Sequence, residues 1–211
     1  SKLSTSALDS LSLSASASLT STQINSLTST QVSSLTTDQM VALVSAQVVN
    51  LGTLQASALT SIQMLALEAA DLAKMNTSAF ASLTTSVMGN LESSQVAALS
   101  TAQIAAITTT QASALTEVQS AALSGTQLAA ISVQNVPKLS SAALAALALA
   151  SFPKLSVSQF NSLLASQVVA LTTAQIVELV TSQTAGMGTL QAASLTSTQV
   201  TAMEVTDLSK L

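Results

Sequence analysis

Three kinds of side chain in this sequence carry reactive or hydrogen-bonding groups: a few carboxylates, many hydroxyls and a column of amides. The carboxylates come closest to pairing at Glu68 with Asp71, and again at Glu204 with Asp207. Residues three apart share one side of a helical turn, so such a pair is the nearest approach to a cation site. Its simpler use is at a helix start, where negative charge is favoured. Acid–base catalysis usually needs a group poised near neutrality, and the chain has no His and no Cys. A hydroxyl nucleophile needs an activating base, which is missing for the same reason. Lack of Cys also removes disulfides and thiolate metal ligands. These features predict no enzyme, no catalytic residue, no cofactor and no metal.

The amides are more informative, because they recur in strict register. Counting from Leu3 in steps of eight to Leu211 gives 27 sites, and all are Leu, Ile or Met. With this slot lettered a and the octad a to h, slot b is Ser or Thr at 16 of 26 sites and slot e is Gln at 17 of 26. Slot f is apolar at 23 of 26 and holds all three Phe residues. No insertion breaks the count.

Eight residues do not fit one continuous helix. At about 100° per residue an octad leaves a rotation of about 80°, so slot a would spiral around the rod. A single long helix and a heptad coiled coil are both excluded on that ground. A β-solenoid is disfavoured too, because corner residues are scarce (Gly 5) and Ala, the strongest helix former, is abundant.

A hydroxyl at b followed three residues later by Gln at e is a capping box. The hydroxyl accepts from the N3 backbone N–H, and the Gln side chain accepts from the N-cap N–H. Slots a and f then form the hydrophobic staple across the same helix start. The clearest capping pairs are Thr28/Gln31, Thr36/Gln39, Thr60/Gln63, Ser100/Gln103, Thr108/Gln111, Thr172/Gln175 and Thr196/Gln199. The expected core includes Leu27, Leu35, Leu43, Leu59, Leu99, Ile104, Ile107, Leu115, Leu171, Ile176, Leu179 and Leu195. Each octad therefore predicts one capped helix of about six or seven residues. Helices that short do not stand alone in water. The predicted fold is an all-α solenoid of stacked short helices, one per octad. A ladder of amide hydrogen bonds between stacked turns is a second use for the Gln column.

Charge placement agrees with this register. The five Lys (Lys2, Lys74, Lys138, Lys154, Lys210) all fall in slot h. Seven of nine acidic residues fall in slots b to e: Asp38, Glu68, Asp71, Glu92, Glu117, Glu204 and Asp207. Negative at the start and positive at the end suits the helix dipole. The net charge is −4, with no basic cluster suited to nucleic acid. The longest apolar run, 142–150, is too short to span a membrane.

Along the chain, residues 1–18 are Ser-rich with Ala7 and Ala15 in slot e, and 68–91 and 132–155 are irregular. Pro137 and Pro153 occupy slot g, which predicts shortened helices or a bend. Gly52 replaces the hydroxyl cap, a tolerable substitution. A longer period sits above the octad: a shift of seventeen octads aligns 1–75 with 137–211 at 36 identities. It pairs Asn25 with Asn161, Gly52 with Gly188, and the Glu68–Asp71–Lys74 group with Glu204–Asp207–Lys210. Residues 1–136 thus read as one long unit and 137–211 as the start of a second copy, in a continuous array without a true domain boundary. With no initiator Met or signal peptide, the chain reads as an excerpt or processed piece of a longer array.

The phrase L-T-x-x-Q-[VI], seen at 27–34, 99–106 and 171–177, resembles tracts of very large repetitive bacterial secreted and cell-surface proteins, described as adhesin-like repeats. That resemblance implies an extracellular or bacterial cell-surface location and a spacer role. The expected function is a structural repeat segment of a bacterial fibre, filament or surface stalk. Its expected partner is itself, as a homo-oligomer or filament, with no nucleic acid, no membrane span and any ligand left open. The alternative is an adhesive module for a cell surface, a glycan or ice.

Overall fold

A computed structural model describes residues 3–211 of the chain. The described residues form 24 α-helices and two 3-10 helices, without strands. The chain is all-α and repetitive, with one helical segment per octad. Lys2 lies outside the described residues.

The α-helices run from four to six residues, so the longest meet the lower end of the six or seven expected and the others fall just short of it. The cause lies at the C-terminal end. The N–H of each new slot a bonds back three residues, as in Leu35 to the Val32 carbonyl (3.2 Å) and Leu99 to Val96 (3.2 Å). This 3-10 closure tightens the last turn and ends the helix early. Slots a and b then take extended dihedrals, as at Leu35 (φ −57°, ψ 134°) and Thr36 (φ −73°, ψ 161°). Two extended residues redirect the chain. No residue described has a positive φ, which explains how so tightly turned a chain manages with so little glycine.

The chain divides into two compact units, Ser1–Ile107 and Thr108–Leu211. Within each, a helix packs on the helices three octads away. In the first unit Thr77–Ala81 lies against Thr53–Ala58 on one side and Thr101–Ala106 on the other. In the second, Glu117–Ala121 packs on Ser141–Ala145, and Thr173–Val177 on Ser197–Ala202. Each coil of the solenoid therefore contains three octads. These units are defined by packing; the seventeen-octad period is a relation between residue types and stands apart from them.

Slots a and f line the interior. Val32, Met64, Ile104, Leu144 and all three Phe (Phe80, Phe152, Phe160) are buried. Full burial of such a side chain is worth about 1.5–3 kcal/mol, which a five-residue helix obtains only by stacking. Of the expected core residues all are buried except Leu195, which is half-buried. Three slot-f residues are polar: Ser16, Ser120 and Thr184 are buried, and the hydroxyls of Ser16 and Ser120 have no hydrogen-bond partner.

The proline octads depart from α geometry. Val136–Lys138 and Leu149–Lys154 are 3-10 helices. Pro153 lacks the N–H that slot g would donate within an α-helix, and the tighter turn accommodates its ring.

Candidate functional site

Two interactions converge on most slot-e Gln residues. The first lies within its own octad. In the seven pairs singled out from sequence, the Gln backbone N–H donates to the b hydroxyl at 3.1–3.3 Å. The b backbone N–H donates to Gln Oε1 at 2.8–3.0 Å.

The second interaction joins successive coils. Gln Nε2 donates to the backbone carbonyls of slot a in the preceding coil and of slot f in the octad before that. Gln63 reaches Leu35 and Val32, both at 2.8 Å. Gln39 reaches Leu11 (3.3 Å) and Leu8 (2.8 Å). Gln103 reaches Met75 (2.9 Å) and Leu72 (2.8 Å). In the second unit Gln175 reaches Leu147 (3.2 Å) and Leu144 (2.9 Å), and Gln199 reaches Leu171 and Val168 (both 2.8 Å). The inter-turn ladder thus runs from amide to backbone carbonyl. A helix end leaves its last carbonyls without intrahelical partners. The Gln one coil later supplies them, so one side chain caps the start of its own helix and the end of another.

Burial adds to the capping role. Gln39 and Gln111, expected as caps for Thr36 and Thr108, are interior residues as well, at 2 % and 1 % exposure. Both still close their boxes: Thr36 N–H donates to Gln39 Oε1 at 3.0 Å, and Thr108 N–H to Gln111 Oε1 at 2.9 Å. The other five are buried as well, from Gln31 at 6 % to Gln175 at 0 %. Such burial is tolerable when the polar atoms of the amide are matched, as the Gln39 contacts show.

Several positions reach the same end differently. At Val44, Leu164 and Val180 slot b has no hydroxyl, yet the b N–H still donates to Gln Oε1, at 2.8 Å in each case. The N3 N–H turns instead to the b carbonyl, as in Gln47 to Val44 (2.8 Å). Ser151, in slot e, donates to the Leu123 carbonyl of the preceding coil (3.1 Å). Asn76 combines both roles from slot b where Ala79 has replaced the Gln. Its Oδ1 accepts from Ala79 N–H (2.9 Å), and its Nδ2 donates to Leu51 (2.7 Å) and Val49 (3.1 Å).

The recurring Asn and Gly form an interlock that sequence reading passed over. Asn25 Oδ1 accepts from Gly52 N–H (2.8 Å), and Gln55 Nε2 donates to the Asn25 carbonyl (2.9 Å). In the other unit Asn161 Oδ1 accepts from Gly188 N–H (2.8 Å), and Gln191 Nε2 donates to Asn161 (2.9 Å). The Asn of the preceding coil thus replaces Gln as acceptor for the N-cap N–H. Glycine leaves room for the Gln55 amide: a Cβ at Gly52 would stand 2.6 Å from Gln55 Oε1, the movable end of that side chain, and would push it aside. The usable signal was that Asn25 and Gly52 recur together, as Asn161 and Gly188.

Seven of the nine acidic residues occupy helix starts, while Asp9 ends the helix Thr5–Asp9 and Glu178 follows the end of Thr173–Val177. Asp38, Asp71, Glu117 and Asp207 lie in first turns, and Glu68, Glu92 and Glu204 at N-caps. Asp71 accepts from the Ser45 hydroxyl, and Asp207 from Thr184 Oγ1 (3.2 Å). Among the described residues no three carboxylates gather into a cation-sized cluster. The lysines sit just past the α-helices: Lys74 and Lys210 follow shortly after Ala69–Leu72 and Val205–Leu208, while Lys138 and Lys154 close 3-10 helices. No helix among the described residues is long and apolar enough to cross a membrane.

This arrangement gives the comparison with known families its context. The ALTTAQ repeat family matches at residues 64–101 and again at 88–125. That stretch is similar to a known repeat. The second match begins three octads after the first, and three octads make one coil. The six letters of the family description stand unaltered at Ala170–Gln175, in slots h to e, and with Ser for the first Thr at Ala98–Gln103. No curated protein sequence matches the chain.

Proposed function

We propose that this chain is a non-catalytic structural segment of a bacterial extracellular fibre or surface stalk, built from a repeat that associates with further copies. The seventeen-octad similarity marks one long unit followed by the start of the next. The observation that carries this reading is where the polar chemistry goes. Gln, the most regular polar residue, is buried, and its amide links one coil to the next. The repeat's side chains are committed to holding the coil together, as a load-transmitting spacer requires. The resemblance to tracts of secreted and surface proteins supplies the location.

The test is antibody labelling of intact, unpermeabilised source cells with serum raised against this chain. Surface labelling that disappears on external protease treatment supports the reading. Labelling only after permeabilisation contradicts the location.

A further inference from the structure

Slot e lacks Gln at nine sites, and the losses are not scattered. Asp71, Ala79 and Val87 stand in succession, and so do Asn135, Ala143 and Ser151. Both rows follow the seventeen-octad period: Asp71 matches Asp207, while Ala143 and Ser151 match Ala7 and Ala15. A coil contains three octads, so three losses in succession take the whole row of Gln links from a single junction. Scattered losses would weaken every junction a little. A local rule broken in one place, and broken again at matching positions, marks a place with a use.

The first row belongs to the coil at 67–90 and faces the coil at 43–66, both within the first compact unit. One junction earlier, Gln47, Gln55 and Gln63 each donate to two or more backbone carbonyls. One junction later, Gln95 and Gln103 do the same. Between them, the carbonyls of Leu43 and Leu59 receive no described side-chain donor, although both residues are buried. Asp71 accepts from the Ser45 hydroxyl and has no N–H to give, and Val87 has no polar atom. Asn76 alone stands in, at Leu51 (2.7 Å) and Val49 (3.1 Å). Ser61 donates to the Ser86 carbonyl (3.2 Å) on the outer face, but the junction before has such a bond too, from Ser21 to Ala46 (3.2 Å). The second row is less open, since Ser151 donates to Leu123 (3.1 Å). Stacked repeats hold together through nearest-neighbour contacts, so they part first where those contacts are fewest. We infer that the junction between the coils at 43–66 and 67–90 is a built-in seam, opening before the Gln-linked junction ahead of it. In an array under tension the seam gives first, and the unbroken frame of eights on both sides lets it close again.

Three methionines report on it. Met40, Met64 and Met88 occupy slot f on successive coils, in helices Thr37–Val41, Ser61–Ala66 and Thr85–Asn90, each packed on the next. All three are fully buried. Gln63 links the first pair of coils, whereas the seam separates the second. The experiment treats the whole chain with dilute hydrogen peroxide and follows sulfoxide at each methionine by mass spectrometry, as initial rates. Met64 and Met88 should oxidise together, at least tenfold faster than Met40. In the variant Asp71→Gln with Val87→Gln, both should slow to the rate of Met40. These amides have boxes to join: Glu92 already serves Gln95 as Glu68 would serve residue 71, and Thr84 caps residue 87. Circular dichroism overlaying the parent confirms folding. A parent in which Met64 is as slow as Met40, or Met40 as fast as Met64, overturns the inference without the variant. So does a folded variant whose Met64 and Met88 rates are unchanged. The seam does not depend on where the chain is located, so its failure and that of the surface location are separately visible.

Discussion

Gln103 uses its whole side-chain amide. Oε1 accepts from the Ser100 N–H (2.9 Å) and hydroxyl (3.1 Å), while Nε2 donates to Leu72 and Met75. Gln103→Ala deprives the Ser100 N–H and the Met75 carbonyl of these bonds and takes one of two from the Leu72 carbonyl, which keeps Met75 N–H (3.1 Å), at about 1 kcal/mol or more for each bond lost. The expected loss is about 3 kcal/mol in chemical denaturation, against about 1 kcal/mol for Ser100→Ala, which removes only a cap. Equal losses would mean that the amide does no more than cap. Ser120 makes the opposite case, a buried hydroxyl with no partner in a slot that elsewhere accepts Ala112. Ser120→Ala should raise stability by about 1 kcal/mol, read as a higher denaturation midpoint at unchanged slope. Capping at this level was legible in the residues, since b, e, a and f lie within one octad. The ladder between turns was foreseen as a second use for the Gln, but not its acceptors, nor the burial of Gln39 and Gln111. The acceptors of that second role are backbone carbonyls, and every residue has one.

Each helix depends on where its neighbour ends. The length shortfall, six or seven expected against four to six, follows from the 3-10 closure at slot a, which no side-chain pattern announces. Three octads per coil was equally hidden: it is set by the two extended residues at a and b, not by their identities. The proline effect was legible in part because it is local: Val136–Lys138 is shortened to three residues, whereas Leu149–Lys154 keeps six and changes to 3-10 geometry. The Asn25–Gly52 interlock tests whether a helix start is indeed handed between coils. Gly52→Thr should gain little or nothing from its new cap hydroxyl, because its Cβ pushes the end of the Gln55 amide aside while Asn25 still holds the N-cap N–H. Adding Asn25→Ala frees Gln55 to form the ordinary box, so the double variant should be at least as stable as Gly52→Thr alone. A double variant less stable than Gly52→Thr alone would contradict the interlock.

For the whole chain the account yields a rule of frame. Within each unit the buried Gln residues find equivalent carbonyls provided the count stays in eights. Inserting the octad L-S-T-A-Q-I-A-A between Ala170 and Leu171 should leave the melting temperature within a few degrees. Inserting half an octad there sets Gln175, Gln183 and Gln191 against the wrong slots of the coil before. Losing three such links, at about 2–3 kcal/mol each, corresponds to a fall of about 10 °C or more. Equal effects of the half and the whole octad would show that the coils do not read one another's register. The linear pattern displayed this frame from the outset, as unbroken spacing over the chain. What it left open was which parts of successive coils touch.

The central claim is that the Gln amide is the link between coils. Hydrogen exchange of the side-chain amide protons, followed by NMR, reads it directly. Gln23 supplies an internal control, since it is exposed. The buried amides of Gln63, Gln103, Gln175 and Gln199 should exchange at least a hundredfold more slowly than that of Gln23. Exchange of all five at one fast rate would contradict the account.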